Sequence, residues 1–256
     1  MQIAKNVTGY RTLIANIVYI SGLGSEKKDW VLVDAGVPFT STFILNHSKK
    51  MFGSRKPLAI ILTHAHFDHI GALEELIKEW DVPIYIHEKE IPYLIGDKAY
   101  LPPTPLRVKG MMSFLSPIYP RDGIKNLRAK INPLSTKMEI PMLKGWKWIH
   151  TPGHTEGHIS LFREEDSLLL AGDALITVKQ ESMLAVLTQR KAIHGPPAYF
   201  TPNREEAFDS IEKLMQMNPQ ILYTGHGKAM YGNEITKGMK NLLNRESKHK
   251  YQTSLS

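Results

Sequence analysis

The stretch Leu62-Thr-His-Ala-His-Phe-Asp-His-Ile-Gly71 packs His64, His66, Asp68 and His69 together in a 256-residue chain that holds 11 histidines. Random draws from this composition would give His-x-His-x-Asp-His roughly once in a thousand such chains, so the density calls for a chemical reason. The flanking residues narrow it. Leu58-Ala-Ile-Ile-Leu62 is a nearly continuous apolar run, the pattern of a strand buried on both faces. Beyond the cluster, Ile70, Leu73, Leu76 and Ile77 repeat at helical spacing. The cluster therefore lies in a strand-to-helix turn. His64 and His66 are two apart, so in extended chain both rings face one side. Asp68 and His69 fall where the chain turns into the helix and point toward a second position. The motif offers two ligands to each of two neighbouring cations, and zinc accepts imidazole nitrogen and carboxylate oxygen at about 2.0–2.2 Å.

Two ligands do not close a metal site, so further donors must come from other strand ends. Three stretches supply them. Thr151-Pro-Gly-His154-Thr-Glu-Gly-His158 follows the predicted strand Trp146 to His150. Leu168-Leu-Leu-Ala-Gly-Asp173 ends an apolar run in a carboxylate placed to bridge two cations, and Ile221-Leu-Tyr-Thr-Gly-His226-Gly ends another in a histidine between glycines. The chain contains no cysteine, so there is no disulfide and any metal must be held by histidine and carboxylate.

The remaining pattern is that of a layered α/β domain. Strands are expected at Thr12 to Ile20, Trp30 to Asp34, Pro83 to Ile86, His158 to Phe162, Ser167 to Ala171 and Gln220 to Tyr223. Helices are expected over Phe39 to Lys49, from about Pro202 with Thr201 as its cap, and near the C-terminus with Ile235, Met239, Leu242 and Leu243 on the buried face. Residues 96–135 carry six prolines that interrupt any long helix, which reads as a lid or pocket-forming excursion within one domain spanning 1–256. No apolar stretch reaches the roughly 18 residues that span a bilayer, and a soluble, cytoplasmic protein is expected. The net charge of +7 reads as a lysine-rich surface, because no basic run interleaved with aromatics suggests nucleic-acid binding.

The order Asp34, His64-x-His66-x-Asp68-His69, His154, Asp173, His226 resembles the metallo-β-lactamase superfamily over essentially the full chain. The resemblance implies an α/β four-layer αββα sandwich with metals at one edge of its two sheets. It implies that His64, His66 and His154 hold one ion and Asp68, His69 and His226 the second, with Asp173 between them. Asp34, in Val33-Asp34-Ala35-Gly36, would hydrogen-bond and orient the histidine loop rather than bind metal. Two divalent ions, zinc first with manganese or iron(II) as alternatives, would lower the pKa of a bridging water and make it a nucleophile. Asp68 would also manage its proton. A hydrolase of the generic branch is implied, acting on an ester, thioester, lactone or related bond, similar to glyoxalase II-like and lactonase-like members. The tail after His226 is too short for the helical region of true glyoxalase II, and no tyrosine closely follows Asp173 as in quorum-signal lactonases. The alternative is a persulfide dioxygenase, which uses a similar pattern around one iron; a phosphodiesterase, nuclease or nucleic-acid-binding role ranks below both.

For the substrate, a small molecule, the walls are expected from residues 96–120 and 176–200, including Met111, Met112, Phe114, Met183, Tyr199 and Phe200. Lys179 is the expected cationic contact, suiting an acyl compound with a carboxylate. His87, His150 and His194 have no assigned role, and His158 is expected to pack or hydrogen-bond in its strand.

Overall fold

The computed structural model describes the backbone of residues 1–104, 111–125, 127, 129–134 and 138–253, and the side chains of these except 111, 112 and 248–253. Strands β1 (Gln2–Ala4), β2 (Val7–Thr12), β3 (Ala15–Leu23) and β4 (Asp29–Val33) pair antiparallel in succession. Strands β5 (Ile60–Ile61), β6 (Ile84–Ile86) and β7 (Ile131–Pro133) continue the sheet in parallel, giving seven strands in chain order. The second sheet has five, ordered β12-β11-β10-β9-β8, from β8 (Trp146–His150), β9 (Ile159–Arg163), β10 (Leu168–Leu170), β11 (Ile221–Tyr223) and β12 (Met230–Tyr231). Only β10 and β11 run parallel there.

Alternation along the strands separates three apolar layers. Val18 and Ile20 of β3 and Val31 and Val33 of β4 face Trp146, Trp148, Leu161 and Leu170 of the other sheet. Their neighbours Ile17, Tyr19, Trp30 and Leu32 face outward onto α1 (Ser41–Phe52), α2 (Phe67–Ile70) and α3 (Leu73–Trp80), through Ile44, Ile70, Leu73, Leu76 and Trp80. Both faces are buried, which is why these strands read as apolar runs rather than as alternation. Two short helices, α4 (Ile91–Leu94) and α5 (Met111–Leu115), precede β7, and α6 (Met183–Thr188) follows β10. On the far side, α7 (Arg204–Gln216) and α8 (Asn233–Thr253) cover the second sheet with Phe208, Ile211, Leu214, Ile235, Met239 and Leu243. The layers are α, β, β, α.

Three expectations need correction. The run Thr12 to Ile20 is not one strand: Leu13 adopts a left-handed φ of 63°, and the chain turns between β2 and β3. The helix expected from Pro202 begins at Arg204, capped by Asn203, whose side chain accepts a hydrogen bond from Glu206 N. Thr201 has another task, described below. Part of the 96–135 stretch is sheet, since β7 pairs with β6 as an edge strand. The described residues include no helix long and apolar enough to cross a membrane.

Candidate metal centre

Asp34, the histidine turn, His154, Asp173 and His226 all follow the ends of strands at one edge of the sandwich. Among the described residues the proposed ligands come together in three overlapping groups, His64 with His66 and His154, Asp68 with His69 and His226, and His64 with His69 and Asp173, which joins the first two; within each, candidate donor atoms lie within 4.8 Å of one another. Asp173 stands between the first two. Its Oδ2 lies 3.6 Å from His154 Nε2 and 3.0 Å from His226 Nε2, while Oδ1 lies 3.6 Å from His69 Nε2. Asp68 Oδ2 is 3.4 Å from His226 Nε2.

The outer hydrogen bonds decide which ring nitrogen faces inward. His69 Nδ1 donates to Asp34 Oδ2 at 2.9 Å and His226 Nδ1 donates to Ile14 O at 2.8 Å. Thr201 Oγ1 donates to Pro197 O, so it accepts from His154 Nδ1, 3.1 Å away. His64 Nδ1 sits 3.0 Å from Thr63 Oγ1, itself hydrogen-bonded to Asp34. These four rings turn Nε2 into the cluster. His66 turns Nδ1 inward instead, 2.9 Å from His154 Nε2. Asp34 also accepts from Thr63 N at 2.8 Å, and it holds a left-handed φ of 60°, a conformation aspartate tolerates better than most residues.

Two glycines make this density possible. A Cβ on Gly225 would lie 2.0 Å from Asp173 Oδ1. One on Gly172, whose φ is +53°, would lie 2.6 Å from His158 Nε2. That nitrogen accepts a hydrogen bond from Asp173 N at 2.9 Å, so His158 carries its proton on Nδ1, facing Thr151 Oγ1 at 2.8 Å. His158, the residue just before β9, thus holds the Asp173 backbone by a hydrogen bond.

Charge in the cluster is divided by burial and by the carboxylates. Burial holds His64 and His154 well below the ordinary histidine value, reinforced by neighbouring histidines, and pulls His66 and His158 down to about 3. Burial acts the same way on His69 and His226, but the carboxylates of Asp34 and Asp173 for the first, and of Asp173 and Asp68 for the second, outweigh it and raise both. Burial would raise Asp173, yet His226 and His69 keep it well below the usual carboxylate range. Nε2 of His64, Nε2 of His69 and Oδ1 of Asp173 are buried without a hydrogen-bond partner. Buried polar atoms left unpaired in this way cost about 1–3 kcal/mol each. A nitrogen and oxygen donor set with unpaired buried atoms turned inward fits divalent cations of the zinc, manganese or iron type.

Several groups that hold the centre are not singled out by the sequence motifs. Glu90, just beyond β6 and fully buried, accepts from Ala65 N with Oε2 and from Gly157 N with Oε1, both at 2.9 Å, and from the Tyr100 hydroxyl. It therefore ties the His64–His66 turn of one sheet to the His154 loop of the other. Asn16, buried in β3, donates through Nδ2 to Thr224 O and Gly227 O at 2.8 Å each and fixes the His226 turn. Gln180, buried and with an unpartnered Oε1, lines the cleft beside Asp68, Asp173 and His226.

Tyr199 and Phe200 line that cleft. Lys179 does not: it is exposed and borders a separate cavity with Glu181, His194 and Arg245. Phe114 and Met183 are also solvent-facing, 78% and 37% exposed. Met111 and Met112 lie outside the described side chains. His87 and His150 stack on each other at 4.5 Å, away from the cleft residues.

Fold and cluster together define a metallo-hydrolase of the two-sheet αββα kind. Residues 10–226 match the family model described as the metallo-beta-lactamase superfamily, and the chain belongs to that superfamily. It is 48% identical over 245 residues to "Probable metallo-hydrolase YflN" of Bacillus subtilis, covering 95% of this chain and 92% of the relative. Among solved structures it is similar to the BLEG-1 B3 metallo-beta-lactamase, with TM-score 0.63, 23% identity and 92% and 97% of the two chains covered. A similar likeness holds to TTHA1623 in a di-iron-bound form, with TM-score 0.58, 23% identity and coverage of 88% and 93%.

Proposed function

We propose that the protein is a binuclear metal-dependent hydrolase of a small-molecule ester, thioester, lactone or related bond. One observation carries the reading: two three-residue donor groups flank one buried carboxylate, with inward-facing atoms that have no protein partner. His64, His66 and His154 would hold one ion, Asp68, His69 and His226 the other, and Asp173 would serve both. Zinc is the first choice and manganese or iron(II) the alternatives; the di-iron-bound form of a structural relative supports considering iron. When bound, such ions activate water at neutral pH and offset charge developing on oxygen.

The chain's own groups do the rest. Asp68 lines the cleft and is placed to accept a proton from an attacking water and pass it to the leaving atom. The Gln180 amide faces the same cleft and offers a hydrogen bond to a polar substrate atom. Asp34, Thr63, Ile14 O and Thr201 hold four of the five ligand imidazoles, those of His64, His69, His154 and His226, with Nε2 turned toward the centre. Phe200 and Tyr199 exclude water from one wall.

Metal content of protein purified under anaerobic conditions, followed by a panel of thioesters, lactones, phosphodiesters and β-lactams on the same preparation, tests the reading. Near two ions per chain with turnover of an ester-class substrate is expected. His66→Ala should lose metal and turnover while keeping its far-UV spectrum. One iron per chain with oxygen consumption would overturn the proposal in favour of a dioxygenase.

A further inference from the structure

Next to the cleft lies a second cavity of about 260 Å³, which shares His66, His154, Tyr199 and Phe200 with it and so opens onto the candidate ligands. Its wall is a run of rings. Tyr93 and Tyr100 stack with centroids 4.3 Å apart and planes within 4°, Tyr100 lies 4.3 Å from the His66 ring, and Phe200 packs against His66 from 5.4 Å. Leu101, Pro102 and Pro202 add apolar surface and Thr104 lines the outer side, where Leu101 and Thr104 are exposed. The slot is open to solvent at one end and meets the metal-ligand cluster at the other.

Its charge is as telling as its shape. Among the described lining residues there is no lysine or arginine, and Glu156 is the single carboxylate. The cleft adds Asp68 and Asp173 and again no basic side chain among its described lining. Lys98 places its Nζ 5.9 Å from the Tyr93 ring centroid but is not part of the lining. An anionic substrate arm in this slot would lose water, face Glu156 and gain no described cation in return. An aromatic or compact branched apolar arm would instead pack against the apolar wall of Tyr93, Tyr100, Phe200, Leu101 and Pro202 and leave no buried charge unpaired.

We infer that this slot receives the acyl side of the substrate, and that the acyl group is uncharged and aromatic or bulky apolar. The inference rests on the hydrolase reading above and deepens it by naming the substrate class. It also replaces the carboxylate-bearing acyl compound expected from Lys179, since that lysine borders a different cavity.

The test uses metal-loaded, full-length protein and two independent readouts. In the first, hydrolysis of phenylacetyl and succinyl thioesters of one thiol is compared. The phenylacetyl compound should have the higher kcat/KM by at least about tenfold, the scale at which an apolar pocket discriminates. Glu156→Lys, at an exposed position, should shrink that ratio by favouring the succinyl arm. In the second readout, calorimetric titration compares phenylacetamide with succinamate, neither requiring turnover. Tighter binding of phenylacetamide supports the slot even if no thioester is cleaved, in which case only the hydrolase reading fails. Turnover with succinyl equal to or above phenylacetyl, or succinamate binding at least as tightly as phenylacetamide, overturns the inference and leaves the hydrolase reading standing. A ratio unmoved by Glu156→Lys counts against it as well.

Discussion

Replacing Glu90 should unsettle both ligand loops at once. In Glu90→Ala, Gly157 N loses its acceptor, the Tyr100 hydroxyl loses its own, and Ala65 N keeps only Tyr100 Oη at 3.1 Å. Two buried donors left unpaired cost about 1–3 kcal/mol each. The loss is partly offset because burial already disfavours the Glu90 carboxylate, raising its pKa against the hydrogen bonds that lower it. A net destabilisation of about 2–4 kcal/mol follows. Glu90→Gln keeps the shape but accepts through one oxygen only, so its amide NH₂ must face either Gly157 N–H or the Ala65 and Tyr100 donors. About 1–2 kcal/mol is expected for it. Urea unfolding monitored by tryptophan fluorescence measures both, and metal titration should show weaker binding in the order wild type, Gln, Ala. Wild-type stability in Glu90→Ala, or full destabilisation with unchanged metal affinity, would refute the view that this carboxylate holds the two loops in register.

Other consequences follow from the same geometry. Asp34→Asn would turn an amide donor toward His69 Nδ1 or Thr63 N, both donors to Asp34 now, and metal affinity by competition with a chelator should drop about 10–100-fold. Gly225→Ala would bring a methyl 2.0 Å from Asp173 Oδ1, so metal analysis should show loss of ions in a protein that still has its far-UV spectrum. In metal-free protein, burial foremost holds His158 at about 3. An unfolded histidine takes its proton below about 6.5 while this folded one does not, so stability must fall as pH drops from about 6.5 toward 3, by about 1.4 kcal/mol per pH unit for each such group. His158→Asn should flatten that acid-side slope, read from urea midpoints at pH 7 and 5; an unchanged slope would contradict it. Chelation of metal-loaded protein should lower its melting temperature, since ions that bind only the folded state stabilise it by about 4 kcal/mol at a thousandfold excess over Kd.

The strand ends and their donors were legible because each pairs a local apolar run with a residue type that seldom follows one without purpose. A layered α/β domain came from the same source, while the αββα order came from the family resemblance, which the matched residues 10–226 support. What the chain pattern could not show is the supporting hydrogen bonds. Ile14 O is 212 positions from His226, and Thr201 is 47 from His154. Neither has a local signature, and Thr201 read as a helix cap because serine and threonine before a proline commonly are. Asn16 is the exception, a polar residue inside an apolar strand. A buried amide there demands partners, and the structure supplies Thr224 O and Gly227 O from the His226 turn.

Lys179 and Gln180 show why the charge of a pocket is harder to read than its location. The segment 176–200 borders the cleft through Gln180, Pro197, Tyr199 and Phe200 and not through Met183, and neighbouring side chains diverge. Lys179 is exposed and borders the cavity shared with Glu181 and Arg245, while Gln180 is buried and meets Asp68, Asp173 and His226. One position of register therefore exchanges a cation for a neutral amide at the candidate centre. A substrate carboxylate loses its expected counter-charge by that exchange, and the unpartnered Gln180 Oε1 at this position is an acceptor, which gives a carboxylate no compensation. The preference for an uncharged acyl group comes from the neighbouring slot, whose described lining offers Glu156 and no basic side chain, and composition of 176–200 alone carries no information on which of two adjacent residues faces the cleft.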